Sequence, residues 1–298
     1  MSSSDEILPA AIAMALGAVA DAELMTDRRG SRIWRVQLDN GQTLAVKAAY
    51  DNPEDTGVQD GARLLAAREA NALAAMGDLA GDYLHAHGEV DAATWLAVRW
   101  LNAPTLQRRW KAARKEDNPA ARYEALTAAV SAAAEVARLH AAGWRHADLQ
   151  PAHIICPDGV AQLIDFALAQ GPNDEPRTPH VNYRGGLVHL DAPELAQALL
   201  DNPAHITLTV EAEVFSLAAV LVTCWTGLWM YDYGAPPWEA PMEHILGTIA
   251  SGRRSRLADQ RPWAWPKLET LLAAALDLQP SGRPTAAEFF AGLSDLRQ

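Results

Sequence analysis

The spacing of apolar residues changes character at Asn102-Ala103-Pro104, and this change constrains the fold more than any single residue does. Upstream, Ile33, Trp34 and Val36 lead to Asn40-Gly41 and then to Leu44-Ala45-Val46-Lys47. Apolar runs on either side of an Asn-Gly pair predict two strands joined by a type I′ turn. Residues 83–90 and 94–101 read as two further strands. Gly61–Met76 reads as a helix, with Leu64, Leu65, Ala72, Leu73 and Met76 on one broad face, and Asp51–Asp60 as a polar loop. Downstream the spacing is helical. Tyr123, Leu126, Val130, Ala133, Ala137 and His140 recur every three or four residues and predict an amphipathic helix over 120–142. Short strands are expected at His153–Cys156 and Val160–Ile164, and helices over 208–227, 239–251, 265–277 and 285–296. Thr285 with Glu288 predicts a capping box for the last helix. The expectation is an α+β chain in two parts, β-rich with one helix over 1–101 and mostly helical over 102–298.

Composition narrows the function classes. The formal net charge is -12, and an acidic chain lacks the Lys/Arg excess that non-specific nucleic-acid binding needs. Cys156 and Cys224 match no metal spacing and no disulfide framework, so a reducing, cytoplasmic setting is expected. The apolar run Leu8–Ala20 is too short to span a bilayer, and it follows Asp5 and Glu6 where a signal peptide carries positive charge. It reads as a helix or docking segment of the first part, and no membrane partner is expected.

The segment with most chemical content is Arg145-His146-Ala147-Asp148-Leu149-Gln150-Pro151-Ala152-His153, followed by Leu163-Ile164-Asp165-Phe166-Ala167. A carboxylate on a loop and a second one after a β-hairpin suit phosphoryl transfer. One orients a hydroxyl nucleophile and accepts its proton; the other holds Mg²⁺ on nucleotide phosphates. Taken alone, two loop acids fit solvated turns equally well. The segments nevertheless resemble the protein-kinase catalytic loop and the metal-binding D-F-G motif. Leu44-Ala45-Val46-Lys47 resembles the strand whose lysine reaches the phosphates, and Glu69 stands where that lysine has its ion-pair partner. Leu96–Leu101 resembles the strand entering the interlobe hinge, Ala192-Pro193-Glu194 the A-P-E motif, Glu213–Leu217 the start of the large buried helix, and Arg283-Pro284-Thr285 the segment whose arginine pairs with the A-P-E glutamate.

This resemblance, to the protein-kinase-like superfamily and its bacterial-type Ser/Thr kinases, implies a two-lobed fold: a small β-rich N-lobe with one key helix and a larger, mostly helical C-lobe. It implies ATP and Mg²⁺ as cofactors. Lys47, Glu69 and Asp148 would be catalytic. Gly30, Lys47, Val98 (the gatekeeper), Arg99 and Leu101 would contact nucleotide, and Asp165 with His153 would hold metal. The A-P-E-like segment favours a peptide or protein substrate, including a biosynthetic precursor peptide, over a small molecule.

Several residues depart from the pattern. The phosphate-covering loop Thr26–Arg32 has one glycine, Gly30; Arg28, Arg29 and Arg32 read as a solvated basic turn or as phosphate contacts. Ala147 replaces the arginine that reads a phosphate on the activation segment, so phosphorylation of 168–191 is not expected to be needed. His153 replaces the second metal-binding asparagine, and an imidazole suits Mn²⁺ better than Mg²⁺. Ala167 replaces the D-F-G glycine. Gln150 replaces a lysine, and the stretch Gly186–Ala192 lacks that lysine's threonine partner. Glu213 replaces an aspartate but keeps an acceptor for the catalytic-loop backbone. These departures leave a pseudokinase or a small-molecule phosphotransferase as alternatives. The other histidines form no metal-ligand spacing. Trp225, Trp229, Trp238, Trp263 and Trp265 read as core, or as an aromatic groove for a peptide.

Overall fold

In the computed structural model, residues 7–28, 30–50, 61–90, 93–172, 187–201 and 206–297 are described. The expected polar loop 51–60, Arg29, His180, His205 and most of the activation stretch, Gly186 included, lie outside them. The described residues form two compact units. The first runs to Leu101 and includes Phe166–Leu168; the second comprises Asn102–Asp165, Ala169–Pro172 and the described residues beyond. The fold is α+β and two-lobed, with an antiparallel sheet in the first unit and helices dominating the second.

The first unit opens with α1 (Ala10–Leu16) and continues through β1 (Val19–Arg28), β2 (Ser31–Leu38), β3 (Thr43–Tyr50), α2 (Ala62–Met76), β4 (Leu84–Val90) and β5 (Ala93–Arg99). The strands pair antiparallel in the order β1-β2-β3-β5-β4. Strict alternation gives the sheet two faces. Trp34, Val36 and Leu38 on β2, Leu44, Val46 and Ala48 on β3, and Trp95 and Ala97 on β5 pack with Leu8, Ile12 and Leu16 of the α1 segment. Each fully buried aliphatic side chain there contributes about 1.5–3 kcal/mol. Ala45 and Lys47 point to the opposite face, where α2 contributes buried Ala66, Glu69, Ala70 and Leu73. Covered on both faces, β5 is buried from Ala93 to Val98.

Two local readings differ from expectation. The turn after β2 is a three-residue loop, Asp39-Asn40-Gly41, closed by Gly41 N–H to Leu38 O and Leu38 N–H to Gln42 O. Only Gly41 takes a positive φ, +85°. A type I′ turn needs left-handed geometry at both central residues, and here a single glycine at the end of the turn suffices. Strand β1 had no clear signal because it is an edge strand with no fully buried residue.

The second unit contains α3 (Leu106–Arg109), α4 (Lys111–Lys115), α5 (Pro119–Ala141), the β6 (Ile154–Ile155) and β7 (Gln162–Leu163) hairpin, α6 (Pro193–Asp201), α7 (Val210–Thr226), α8 (Met242–Ala250), α9 (Leu257–Gln260), α10 (Pro266–Ala275) and α11 (Ala286–Arg297). Helix α5 starts where Asn118 Oδ1 accepts from Ala121 N–H at 2.8 Å, with Pro119 at the first helical position. Leu126, Val130 and Ala133 of the expected face are buried, joined by Ala125, Ala129, Ala132 and Val136, while Tyr123 stands 60% exposed instead of on the core face. Alanine-rich helices carry weak facial information, since alanine tolerates either environment. Helix α7 is buried from Ala212 to Trp225, and Gly227 closes it at φ +78°. The capping box on α11 forms as expected, with Glu288 Oε2 accepting from Thr285 N–H at 2.8 Å and Glu288 N–H donating to Thr285 Oγ1 at 3.2 Å. No helix among the described residues is long and apolar enough to cross a membrane.

Candidate active site

In the first unit, register sets the geometry. Lys47 lies opposite Leu96, and Ala45 opposite Val98, on the face covered by α2. Lys47 Nζ donates to Glu69 Oε2 at 3.0 Å, with the Glu69 side chain 6% exposed. On the same helix, Arg68 Nε donates to Ala167 O at 3.1 Å. Val98 is buried. Arg99 donates its backbone N–H to Tyr83 O at 2.8 Å and its guanidinium to Asp82, while Trp100 N–H donates to Thr43 O at 3.0 Å. Those two N–H groups are therefore committed within the first unit. Gly30, φ +73°, belongs to a tight turn between β1 and β2, and its carbonyl accepts from Tyr50 N–H at 2.8 Å. Arg32 is held by Asp27 at 3.1 Å and lies 5.3 Å over the Tyr50 ring.

In the second unit the catalytic-loop residues converge through contacts far apart in sequence. Ala147 and Asp165 both have left-handed backbones, φ +65° and +63°, a geometry costing about 1–2 kcal/mol for a non-glycine residue. The Ala147 N–H is captured by Glu213 Oε1 at 2.7 Å, and Glu213, 1% exposed, takes a second hydrogen bond from His140 Nε2 at 2.8 Å. The expected backbone acceptor role of Glu213 is thus in place. His146 is completely buried; its Nε2–H donates to Ile164 O at 2.9 Å and Nδ1 accepts from Asp148 N–H at 3.3 Å. Burial lowers its pKa, so it is neutral at pH 7.

The Asp148 carboxylate is oriented from three sides. Gln150 Nε2 donates to Oδ1 at 3.2 Å and lies 3.3 Å from Oδ2; Leu187 N–H donates to Oδ1 at 3.3 Å. His153 Nδ1 lies 3.4 Å from Oδ2 and 3.0 Å from Asp148 O. The other ring nitrogen, Nε2, stands 3.6 Å from Asp165 Oδ2. With Nδ1 donating to the Asp148 carbonyl, Nε2 is the ring nitrogen that faces the Asp165 carboxylate. An imidazole nitrogen and a carboxylate so placed could hold a divalent cation, with Mn²⁺ more tolerant of the imidazole than Mg²⁺. Among the described residues no cluster of three His, Cys, Asp or Glu side chains forms a protein-only metal cage.

Three features escaped sequence reading. Gln150 and Leu187 stand where the resemblance marks losses, yet a side-chain amide and a backbone N–H now serve Asp148. Gln170 is a buried node: its backbone exchanges hydrogen bonds with Arg145, and its side chain bridges Ile206 O and Leu208 N–H. Asp191 is 5% exposed and its Oδ2 has no partner; burial, then the charge of Asp148, push its carboxyl up to about 8.

The chain is 27% identical over 203 residues to the serine/threonine-protein kinase PknE of Mycobacterium tuberculosis, covering 67% of this chain and 32% of that protein. This chain is protein-kinase-like. It is also 27% identical over 206 residues to the serine/threonine-protein kinase AfsK of Streptomyces coelicolor, covering 68% of the kinase-like chain and 23% of AfsK. For the serine/threonine-protein kinase PknH of Mycobacterium bovis the identity is 28% over 173 residues, 56% of this chain and 26% of PknH. The match thus spans about a third of these relatives' own length or less. No family model matches the kinase-like chain.

Proposed function

We propose that the chain is an ATP-dependent phosphotransferase that transfers the γ-phosphate to a hydroxyl, a Ser or Thr of a peptide or protein, including a biosynthetic precursor peptide. The observation that carries this reading is the Asp148 carboxylate, oriented by Gln150, Leu187 N–H and His153 and ready to accept a hydroxyl proton. In this reading Lys47, steadied by Glu69, binds nucleotide phosphate, and Asp165 with His153 holds the metal. A bound divalent ion supplies charge neutralisation on the phosphates. Asp148 orients the acceptor hydroxyl and takes its proton at a carboxylate oxygen. Gly30, Val98, Arg99 and Leu101 form the nucleotide-contacting set, Arg99 through its carbonyl since its N–H is already used.

The test is phosphate transfer from γ-labelled ATP, with Mg²⁺ and separately with Mn²⁺, to generic peptides and to products of neighbouring genes. Labelled Ser or Thr is the expected product; nucleotide binding without transfer to any acceptor turns the reading over. A pseudokinase is the second reading, favoured by His153, whose ring already spans Asp148 and Asp165. Transfer only to a small-molecule hydroxyl would identify the third class.

A further inference from the structure

We propose that a groove formed by α5, α10 and α11 in the second unit is a docking site for an acidic peptide segment of a partner protein that inserts an apolar side chain. The groove encloses about 940 Å³, near the top of the range of ligand-binding cavities. Its floor is apolar: Leu126 and Trp265 are almost fully buried, Leu296 lies beside them, and the Tyr123 ring stands 60% exposed along one wall. Its rim is basic. Lys267 and Arg297 line it together with Arg122, whose charge is partly offset by its ion pair with neighbouring Asp117, and no carboxylate is among the described lining residues. That is unexpected on a chain with net charge -12, where an arbitrary patch of surface carries more acid than base. An apolar floor inside a cationic rim selects an occupant with the complementary pair of properties, an aliphatic or aromatic anchor flanked by carboxylates.

The groove is also preorganised. Arg122 is pinned by Asp117 at 2.6 Å and lies 4.8 Å over Trp263 and 5.2 Å over Trp265. Trp263 stacks on Trp265 with ring centroids 4.9 Å apart and donates Nε1–H to Ala113 O at 2.7 Å. Proline opens both flanking helices, at Pro119 and Pro266. Walls that do not reorganise lower the entropic cost of capturing a flexible peptide. A second copy of this chain is the weaker occupant. A two-fold interface through the groove would set Arg122, Lys267 and Arg297 against their own counterparts.

The test pans a phage-displayed library of random linear peptides on the intact chain without nucleotide, so the readout is independent of phosphoryl transfer. The double variant Lys267→Glu with Arg297→Glu serves for counter-selection, after its thermal melt is matched to wild type. The expected winners place Asp or Glu next to a large apolar residue. Their synthetic copies should weaken by about tenfold, about 1.4 kcal/mol, against the double variant and against Tyr123→Ala, and stay unchanged against Arg35→Glu. Winners without acidic bias, or winners binding the double variant equally, overturn the proposal. So does concentration-dependent dimerisation that the same variants abolish, which would assign the groove to a second copy.

Discussion

Arg283 and Glu194, 89 residues apart in sequence, form a bidentate ion pair, with Nη1–Oε1 at 2.5 Å and Nη2–Oε2 at 2.9 Å. The Arg283 side chain is completely buried and also donates to Asp277 O and Glu211 O, while its guanidinium lies 4.9 Å from the centre of the Phe215 ring. The pair therefore ties the start of α6 to the turn before α11. The Glu194 side chain keeps 34% of its exposure, so water screens part of the loss and breaking the pair costs less than the about 3–5 kcal/mol of a fully buried one. Glu194→Ala should accordingly lower the denaturation midpoint, and Arg283→Lys should retain little of the pair's contribution, since one ammonium cannot replace the fork. A Glu194→Ala protein with wild-type stability in urea would show the pair to be energetically idle.

Lys47→Ala and Asp165→Asn should each abolish turnover and leave the fold intact. The first removes the phosphate-binding cation and the second the metal-binding carboxylate. Circular dichroism and single-turnover kinetics check both; a folded variant at wild-type rate removes that residue from the site.

Asp148→Asn should lower kcat by about 10²–10⁴-fold with little change in nucleotide affinity, because the group acts on the hydroxyl and not on ATP. Gln150→Ala should produce a smaller loss in the same direction, since Leu187 N–H still orients the carboxylate. Weakened ATP binding with transfer intact would assign Asp148 the wrong role.

His153→Asn separates the readings of the metal site. An imidazole ligand predicts that the wild type prefers Mn²⁺ and that the variant shifts towards Mg²⁺. A purely structural His153, holding Asp148 through its carbonyl, predicts instead a loss with both ions. A pseudokinase shows transfer with neither ion in either protein. Initial rates in each metal, for both proteins, decide.

Stability should fall on both sides of a mid-pH maximum for two named reasons. Asp191 is an acid whose folded pKa, about 8, is raised above its ordinary 3.8. The folded protein holds that proton more tightly, so its contribution is complete below about pH 4 and is lost as pH rises towards 8. The loss is on the order of several kcal/mol. Asp191→Asn should flatten this decline and stabilise the protein at alkaline pH. His146 is the opposite case: a buried neutral base whose pKa is lowered from 6.5, so stability is lost as pH falls below that value. Urea midpoints from pH 4 to 9 test both, and an unchanged alkaline limb in Asp191→Asn would remove the carboxyl from the account.

What the sequence determined by itself is the set of elements whose causes are local. Thr285 and Glu288 cap α11 because the two residues are three apart on one turn, and Asn118-Pro119 starts α5 for the same kind of reason. The catalytic-loop and D-F-G-like segments were legible because the resemblance resides in short contiguous runs around Asp148 and Asp165. The exposure of Tyr123 on α5, the pairing of β1 at the sheet edge and the burial of Asp191 were not legible. Each depends on which distant segment covers the residue, and alanine or a half-exposed strand carries little preference of its own. The three groups that orient Asp148 show the same division. Gln150 and His153 lie within five residues of it, but Leu187 N–H comes from 39 residues away. A backbone N–H carries no sequence signature, so only the tertiary structure could bring it to the carboxylate and make good the missing threonine.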